Sequence, residues 1–123
     1  MYDSILHASL VIKDTDQSLK FYHEILGMAI DSSRPDLGYP GAWLNISSGK
    51  QQIHLLELPN PDPIDNRPAH GGRDRHVAIG LYDINQLITT LEKNNITFTA
   101  SKSGRKALFC RDPDGNALEF IQI

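Results

Sequence analysis

The pattern of apolar and polar residues predicts two segments of the same design, one in each half of the chain. In residues 5–12 apolar and mixed positions alternate, which is typical of a strand with one buried face. Asp14 or Thr15 can cap an amphipathic helix that runs to about Leu26, and Gly27 is a natural C-terminal stop. Three short strands are predicted next, at residues 28–32, 42–47 and 51–58, with a turn at Ser48-Gly49-Lys50 between the last two.

The second half repeats this order. Residues 76–82 predict a strand and residues 83–94 an amphipathic helix, followed by strands at 97–102, 106–111 and 116–122, with a turn at residues 112–115. The pattern therefore predicts an α+β fold of two tandem βαβββ modules, at about 4–58 and 76–123. An exposed connector that contains four prolines joins them over residues 59–75. The length of 123 residues fits one domain over 1–123.

Four ionisable residues occur at corresponding points of the two modules. His7 and His76 lie at or near the start of the first strand of each module, and His54 and Glu119 lie between apolar neighbours in the last strand. Because side chains alternate between the two faces of a strand, all four are predicted on the face opposite the helix-covered one. Three imidazoles and a carboxylate are typical ligands of a divalent transition metal. We therefore predict one metal site in a cavity enclosed by a curved mixed sheet.

Composition excludes several other functions. The net charge of −3 is small and no basic stripe is interleaved with aromatic residues, so nucleic acid is not an expected partner. The apolar runs are far shorter than the roughly 20 residues that span a bilayer, so no membrane association is expected. Cys110 is the only cysteine and cannot form an internal disulfide, which is typical of a protein of the reducing cytoplasm.

Four segments, residues 7–27, 52–56, 75–78 and 111–120, together form a pattern that resembles the vicinal oxygen chelate superfamily. That superfamily includes glyoxalase I, extradiol dioxygenases and the fosfomycin- and bleomycin-resistance proteins. The resemblance covers the whole chain and implies paired βαβββ modules around a divalent metal. Further segments look like the glyoxalase-I-like proteins of plant plastids and cyanobacteria, at residues 41–44, 57–63 and 70–76.

The resemblance also implies ligands and chemistry. The superfamily's four ligand positions match His7, His54, His76 and Glu119, which implies one divalent ion per site: zinc, nickel, cobalt, manganese or iron. It implies a lyase or isomerase that acts on a small substrate with two vicinal oxygens through an enediolate-like intermediate. Glu119 would be both ligand and base, and His54 a second candidate base. A homodimer is implied as well, with the metal site within one chain or shared between two.

Two positions depart from glyoxalase I. His54 stands where that enzyme usually has a glutamate, and Val11 stands where it has an arginine that binds the glutathione part of the substrate. One carboxylate against a doubly charged ion leaves the ligand set positive, which favours an anionic substrate. Four arginines are candidate clamps for its carboxylate: Arg67, Arg73, Arg75 and Arg105.

Two other functions remain open. His7, His76 and Glu119 occupy the positions of the two-histidine, one-carboxylate triad of the dioxygenases, which favours a non-haem Fe(II) extradiol-type dioxygenase. The fourth ligand, His54, opposes this hypothesis because oxygen activation needs open coordination positions. A third hypothesis is a non-catalytic module that only binds a small molecule, as a resistance protein does. The sequence leaves open the substrate, the physiological metal and any use of glutathione.

Overall fold

A computed structural model of the chain describes residues 1–47 and 50–123. The turn predicted at Ser48-Gly49-Lys50 has its first two residues outside the described part. The chain divides into two compact units, Met1–Asp62 and Pro63–Ile123, and the division lies inside the proline-rich segment 59–75.

The first unit contains one βαβββ module. Asp14 caps its first helix, since the Asp14 side chain accepts a hydrogen bond from the Gln17 backbone N–H. The elements are β1 (His7–Ile12), α1 (Thr15–Leu19), a π-helical segment (Lys20–Ile25), β2 (Ala29–Ile30), β3 (Gly41–Ile46) and β4 (Gln51–Glu57).

The second unit contains the second module, preceded by a short 3-10 turn. Asp83 caps its helix by accepting hydrogen bonds from the Asn85 and Gln86 backbone N–H groups. The elements are the 3-10 turn (Gly71–Arg73), β5 (His76–Leu81), α2 (Ile84–Lys93), β6 (Phe98–Ala100), β7 (Ala107–Arg111) and β8 (Ala117–Gln122).

Each module forms a four-stranded mixed sheet, and the two sheets have the same topology. The strand orders are β1-β4-β3-β2 and β5-β8-β7-β6. The first strand of each module lies at one edge of its sheet and pairs in parallel with the last strand, and the other pairs are antiparallel. The prediction of an α+β fold with two βαβββ modules is therefore confirmed. That the sheets enclose a metal cavity stays a prediction.

The first helix extends to about Leu26 as predicted, but its type changes along its length. The α-helix α1 ends at Leu19, and the chain continues as the π-helical segment Lys20–Ile25. There the Leu26 N–H donates to the Phe21 carbonyl over five residues, at 2.9 Å. Gly27, at φ 77°, then ends the helix as expected.

The core of each module lies on the face of the sheet that the helices cover. Ile53 and Leu55 of β4 are buried, and so are Leu91 of α2 and Leu118 of β8. In β4 the burial supports the predicted alternation, because His54 between Ile53 and Leu55 is only partly buried. In β8 the residues on both faces are buried, and Glu119 is among them. Within the described residues, none of the helices has the length and apolarity that crossing a membrane would require.

Cys110 is buried in β7, and burial, with a smaller effect of the Asp112 charge, raises its pKa to about 12. The thiol of Cys110 ionises near pH 9 in the unfolded chain but only near pH 12 in the folded protein. The protonated thiol therefore contributes fully to the stability of the fold below pH 9, and this contribution is lost as the pH rises towards 12. The reactive thiolate is therefore scarce in the native protein at pH 8. We expect a disulfide reagent to label the native thiol on the order of 10³-fold more slowly than the unfolded thiol. Native labelling within tenfold of the rate in denaturant would contradict the buried placement.

Candidate metal centre

The four predicted ligands occupy equivalent positions in the two sheets. In the parallel pair β1–β4, His7 is the register partner of Gln52, and His54 follows two residues later. In the parallel pair β5–β8, His76 is the register partner of Ala117, and Glu119 follows two residues later. Each module therefore presents a histidine and a second donor by the same backbone geometry.

In the first module the His54 ring is stacked between two other rings. Its centroid lies 3.9 Å from that of His7, with 11° between the ring planes. The His54 ring also stacks on the Trp43 ring, with the centroids 4.5 Å apart and an interplanar angle of 10°. Trp43 is the register partner of His54 across the β3–β4 pair, so the sheet itself brings these two rings together. His54 is consequently held in a fixed orientation.

The hydrogen bonds of the Gln52 side-chain amide identify which ring nitrogen of His54 carries the proton. The Gln52 amide nitrogen donates to Asp31 at 2.7 Å and to Asn45 at 2.9 Å, which leaves its carbonyl oxygen for His54. The Nε2–H of His54 donates to that oxygen at 2.8 Å, so the unprotonated nitrogen is Nδ1. Burial lowers the pKa of His54 first, and the charges of His7 and Arg34 lower it further against the opposing effect of Asp31. The ring is thus favoured in the neutral form that a metal ligand or a base requires.

In the second module His76 and Glu119 form a close pair. His76 Nε2 lies 3.2 Å from Glu119 Oε2, and the Glu119 side chain is only 5% exposed. The Nδ1–H of His76 donates to the backbone carbonyl of Asp74 at 2.9 Å, because a carbonyl can only accept. Nε2 is therefore the nitrogen that faces the carboxylate.

The donor set fits a divalent metal ion. Two unprotonated acceptors 3.2 Å apart repel each other, so a cation, either a proton or a metal ion, is needed between His76 and Glu119. Imidazole nitrogens and a carboxylate are the donors that zinc, nickel, cobalt, manganese and iron accept. The structure brings the ligands together as two pairs, one in each module. Among residues 1–47 and 50–123, no group of three or more His, Cys, Asp or Glu side chains is arranged to hold a metal ion.

The four candidate clamp arginines have different surroundings. Arg105 Nη2 donates to Glu119 Oε1 at 3.2 Å, while more than half of the Arg105 side chain is exposed. Arg67 instead forms a two-point contact with Asp74, at 2.7 and 2.8 Å, which occupies its guanidinium group. Arg73 and Arg75 are exposed residues next to the 3-10 turn or within it. Arg105 is thus placed directly beside the predicted ligand Glu119.

A cleft of about 220 Å³ lies within the second module, beside the edge strand β6. None of the four predicted ligands lines it. Its lining residues are Ala69, Gly71, Ile96, Thr97, Phe98, Thr99, Phe109, Cys110 and Arg111.

Sequence reasoning missed three residues that orient the ligands. Gln52 could have been found, because alternation places it on the same strand face as His54. Trp43 could not, since its position beside His54 depends on the β3–β4 register across a turn. Asp74 gave no signal of its own, because it acts on His76 through its backbone carbonyl.

Comparisons with known proteins show the family and the fold to which the chain is similar. The sequence profile of the Glyoxalase/Bleomycin resistance protein/Dioxygenase superfamily matches residues 4–120. The chain is similar to a lactoylglutathione lyase of Haemophilus influenzae, with 34% identity over 127 aligned positions that cover 96% of this chain and 91% of the relative. It is also similar to a protein of Arabidopsis thaliana named glyoxylase I 4, with 31% identity, 94% of this chain and 68% of the relative. A crystal structure of a putative glyoxalase family protein from Bacillus anthracis has a TM-score of 0.81 and 22% identity, covering 99% and 96% of the two chains.

Proposed function

The chain belongs to the glyoxalase/bleomycin resistance/dioxygenase superfamily, and from this we propose that it is a divalent-metal-dependent enzyme of the glyoxalase I type. It would be a lyase or isomerase that acts on a small substrate with two vicinal oxygens. Relatives named lactoylglutathione lyase support the reaction class. A closer relationship to the plastid and cyanobacterial glyoxalase-I-like proteins stays a prediction.

The observation that carries this proposal is the equivalent donor pair in each module. A duplicated chain that places a histidine and a second donor at the same register positions supplies two equivalent sets of metal donors. We propose that His7, His54, His76 and Glu119 are the ligands. His54 would bind through Nδ1, since its Nε2–H is directed to Gln52. His76 would bind through Nε2, since its Nδ1–H is directed to Asp74.

Glu119 is the proposed base. A bound divalent ion would polarise the vicinal oxygens of the substrate and so acidify the adjacent C–H group. Glu119 Oε2 would take the proton from that carbon and return it to the neighbouring carbon in an isomerisation. Burial of the Glu119 side chain excludes water from the carboxylate during the transfer. His54 is the second candidate, with Nδ1 as the accepting atom.

Arg105 is the proposed contact for an anionic group of the substrate. It pairs with Glu119 Oε1 and keeps more than half of its side chain in solvent. A divalent ion bound to Glu119 would compete with this pair, which would leave the guanidinium group available to a substrate carboxylate. Arg67 is not part of this proposal, because Asp74 already holds it.

We expect Arg105→Gln to change two affinities in opposite directions. Loss of the competing cation should raise the affinity for zinc by about two- to fivefold, as is typical of a largely exposed ion pair. Affinity of the zinc-loaded protein for a 2-hydroxy acid should fall, because the carboxylate loses a charge-assisted partner. Isothermal titration of both ligands measures the two effects. The matched control is Lys102→Gln, which removes the same charge from the same exposed hairpin; equal effects of both substitutions would refute the specific role of Arg105.

We further propose a homodimer that functions in the reducing cytoplasm, with each metal site within one chain or shared between two. A cup needs two modules that face each other, and a closed twofold contact is the simplest assembly that provides it. Sedimentation of the metal-loaded protein tests this. A monomer at micromolar concentration with full metal content would rule out an obligatory shared site.

The experiment that tests the reaction class is metal analysis followed by a substrate panel. The purified protein is loaded with zinc, nickel, cobalt, manganese or iron and assayed on hemithioacetals, catechols and 2-hydroxy or 2-oxo acids. Metal-dependent turnover without oxygen supports the proposal. Substrate-dependent oxygen uptake by anaerobically iron-loaded protein would replace it with a dioxygenase. Tight, metal-independent ligand binding without turnover would replace it with a non-catalytic binding module.

A further inference from the structure

The carboxylate of Asp74 is largely shielded from solvent, with the side chain 9% exposed, and accepts four hydrogen bonds. Its Oδ1 accepts from Arg67 Nη2 at 2.7 Å and from the Arg75 backbone N–H at 2.8 Å. Its Oδ2 accepts from Arg67 Nε and from Arg111 Nη1, both at 2.8 Å. The hydrogen bonds from Arg67, followed by those from Arg111 and the Arg75 backbone, hold the pKa of Asp74 well below its usual range. Two guanidinium groups therefore fix one carboxylate in the connector.

Arg111 connects this cluster to the strand that carries Glu119. It is the last residue of β7, and besides Asp74 it donates to the carbonyl of Gly115 at 2.7 Å and to that of Pro68. Gly115 belongs to the turn that leads into β8. Asp74 is thus fixed relative to the start of β8, and not only within the connector.

The backbone carbonyl of Asp74 then determines how His76 is presented. It accepts the Nδ1–H of His76 at 2.9 Å, two residues along the chain. This hydrogen bond assigns the proton to Nδ1 and leaves Nε2 at 3.2 Å from Glu119 Oε2. If the carbonyl moved, the ring could rotate or adopt the other tautomer, and Nε2 would no longer face the carboxylate.

We propose that Asp74, held by Arg67 and Arg111, is a positioning residue that orients Nε2 of His76 towards Glu119 and thereby sets the metal affinity. This inference rests on the proposed function, since it assigns His76 and Glu119 to the same metal site. Asp74 touches neither the proposed metal nor the substrate and acts through its own carbonyl group. Partners of this kind typically change metal affinity by about 10- to 100-fold when removed.

Asp74→Asn is the variant that tests this, because it keeps the side-chain volume and removes the charge that two arginines contact. We expect zinc affinity, measured by competition with a chromophoric chelator, to fall by about 10- to 100-fold. We also expect the ¹⁵N chemical shifts of the His76 ring in metal-free protein to lose the pattern of an Nδ1–H tautomer. The matched control is Asp65→Asn, which removes the same charge from an exposed position of the same connector and should change neither quantity.

A second variant keeps the test decisive if Asp74→Asn fails to fold. Arg67→Lys preserves the charge but cannot form the two-point contact, so it should give a smaller shift of both quantities in the same direction. Unchanged zinc affinity and unchanged ring signals in the folded variant would overturn the proposal, and so would a loss of thermal stability alone. If the wild-type protein binds no metal, the proposed function fails, while the His76 ring signals still report whether Asp74 orients the ring.

Discussion

Replacing Glu119 with glutamine is expected to reduce kcat by about 10²- to 10⁴-fold, the usual contribution of a positioned general base. Glutamine nearly preserves the volume but removes both the negative charge and the proton acceptor. The side chain is buried in the central strand β8, between its register partners Ala78 and Phe109, so an isosteric replacement should leave the fold intact. Since the charge also holds the metal, kcat is measured at saturating metal, where lost affinity does not limit the rate.

The matched control for this substitution is Glu92→Gln, the same change at an exposed position of α2. It should leave kcat, metal affinity and thermal unfolding unchanged. If Glu119→Gln retains near-normal kcat on a substrate that the wild-type protein turns over, Glu119 is not the base. His54 then becomes the candidate, and a loss of kcat in His54→Ala would identify it.

The second large effect expected is a low activity on the glutathione–methylglyoxal hemithioacetal. Val11 lies half-buried in β1 and has an apolar side chain that cannot bind the glutathione carboxylate. A lost charge-assisted contact costs on the order of 1.5–3 kcal/mol, which corresponds to roughly 10- to 100-fold in binding. His54 also stands where glyoxalase I usually has a glutamate, so this site has one candidate carboxylate base instead of two. Neither difference prevents chelation of a smaller vicinal-oxygen substrate.

The measurement is kcat/KM for the hemithioacetal under zinc, nickel, cobalt and manganese loading. We expect values at least tenfold below the roughly 10⁶ M⁻¹s⁻¹ of an efficient enzyme. A value in that range would show that other residues bind the glutathione carboxylates. The function would then be that of an ordinary glyoxalase I.

Much of the fold and the candidate ligand set could be predicted because both depend on short-range pattern. Alternation along a strand determines which side chains share a face, and His54 lies between the buried residues Ile53 and Leu55 as expected. The duplication strengthened the prediction of the fold, because the same order of elements had to account for both halves of the chain. The turn at Asp112–Gly115 followed from its residues alone, and Gly115 does adopt a positive φ of 84°.

What could not be predicted depends on contacts between segments that are distant in sequence. The register that places Trp43 beside His54 is fixed by sheet pairing. Arg111 reaches Asp74 across 37 residues, which no local pattern encodes. The π-helical segment at Lys20–Ile25 was missed because its apolar residues also fit an α-helix. Orienting contacts of this kind become visible only once the strands are paired.

The central claim is that donors of both modules bind one metal ion. Measuring zinc binding by four single-alanine variants tests this claim most directly. We expect the wild-type protein to bind one zinc ion per chain. We expect the zinc affinity to fall by more than about a hundredfold, which exceeds the usual effect of removing a residue that only orients a ligand, in each of four variants: His7→Ala, His54→Ala, His76→Ala and Glu119→Ala. His23→Ala, which removes a histidine that belongs to neither pair, should bind like the wild type. Absence of binding by the wild-type protein, or an affinity that is insensitive to the two substitutions in either module, would contradict the claim.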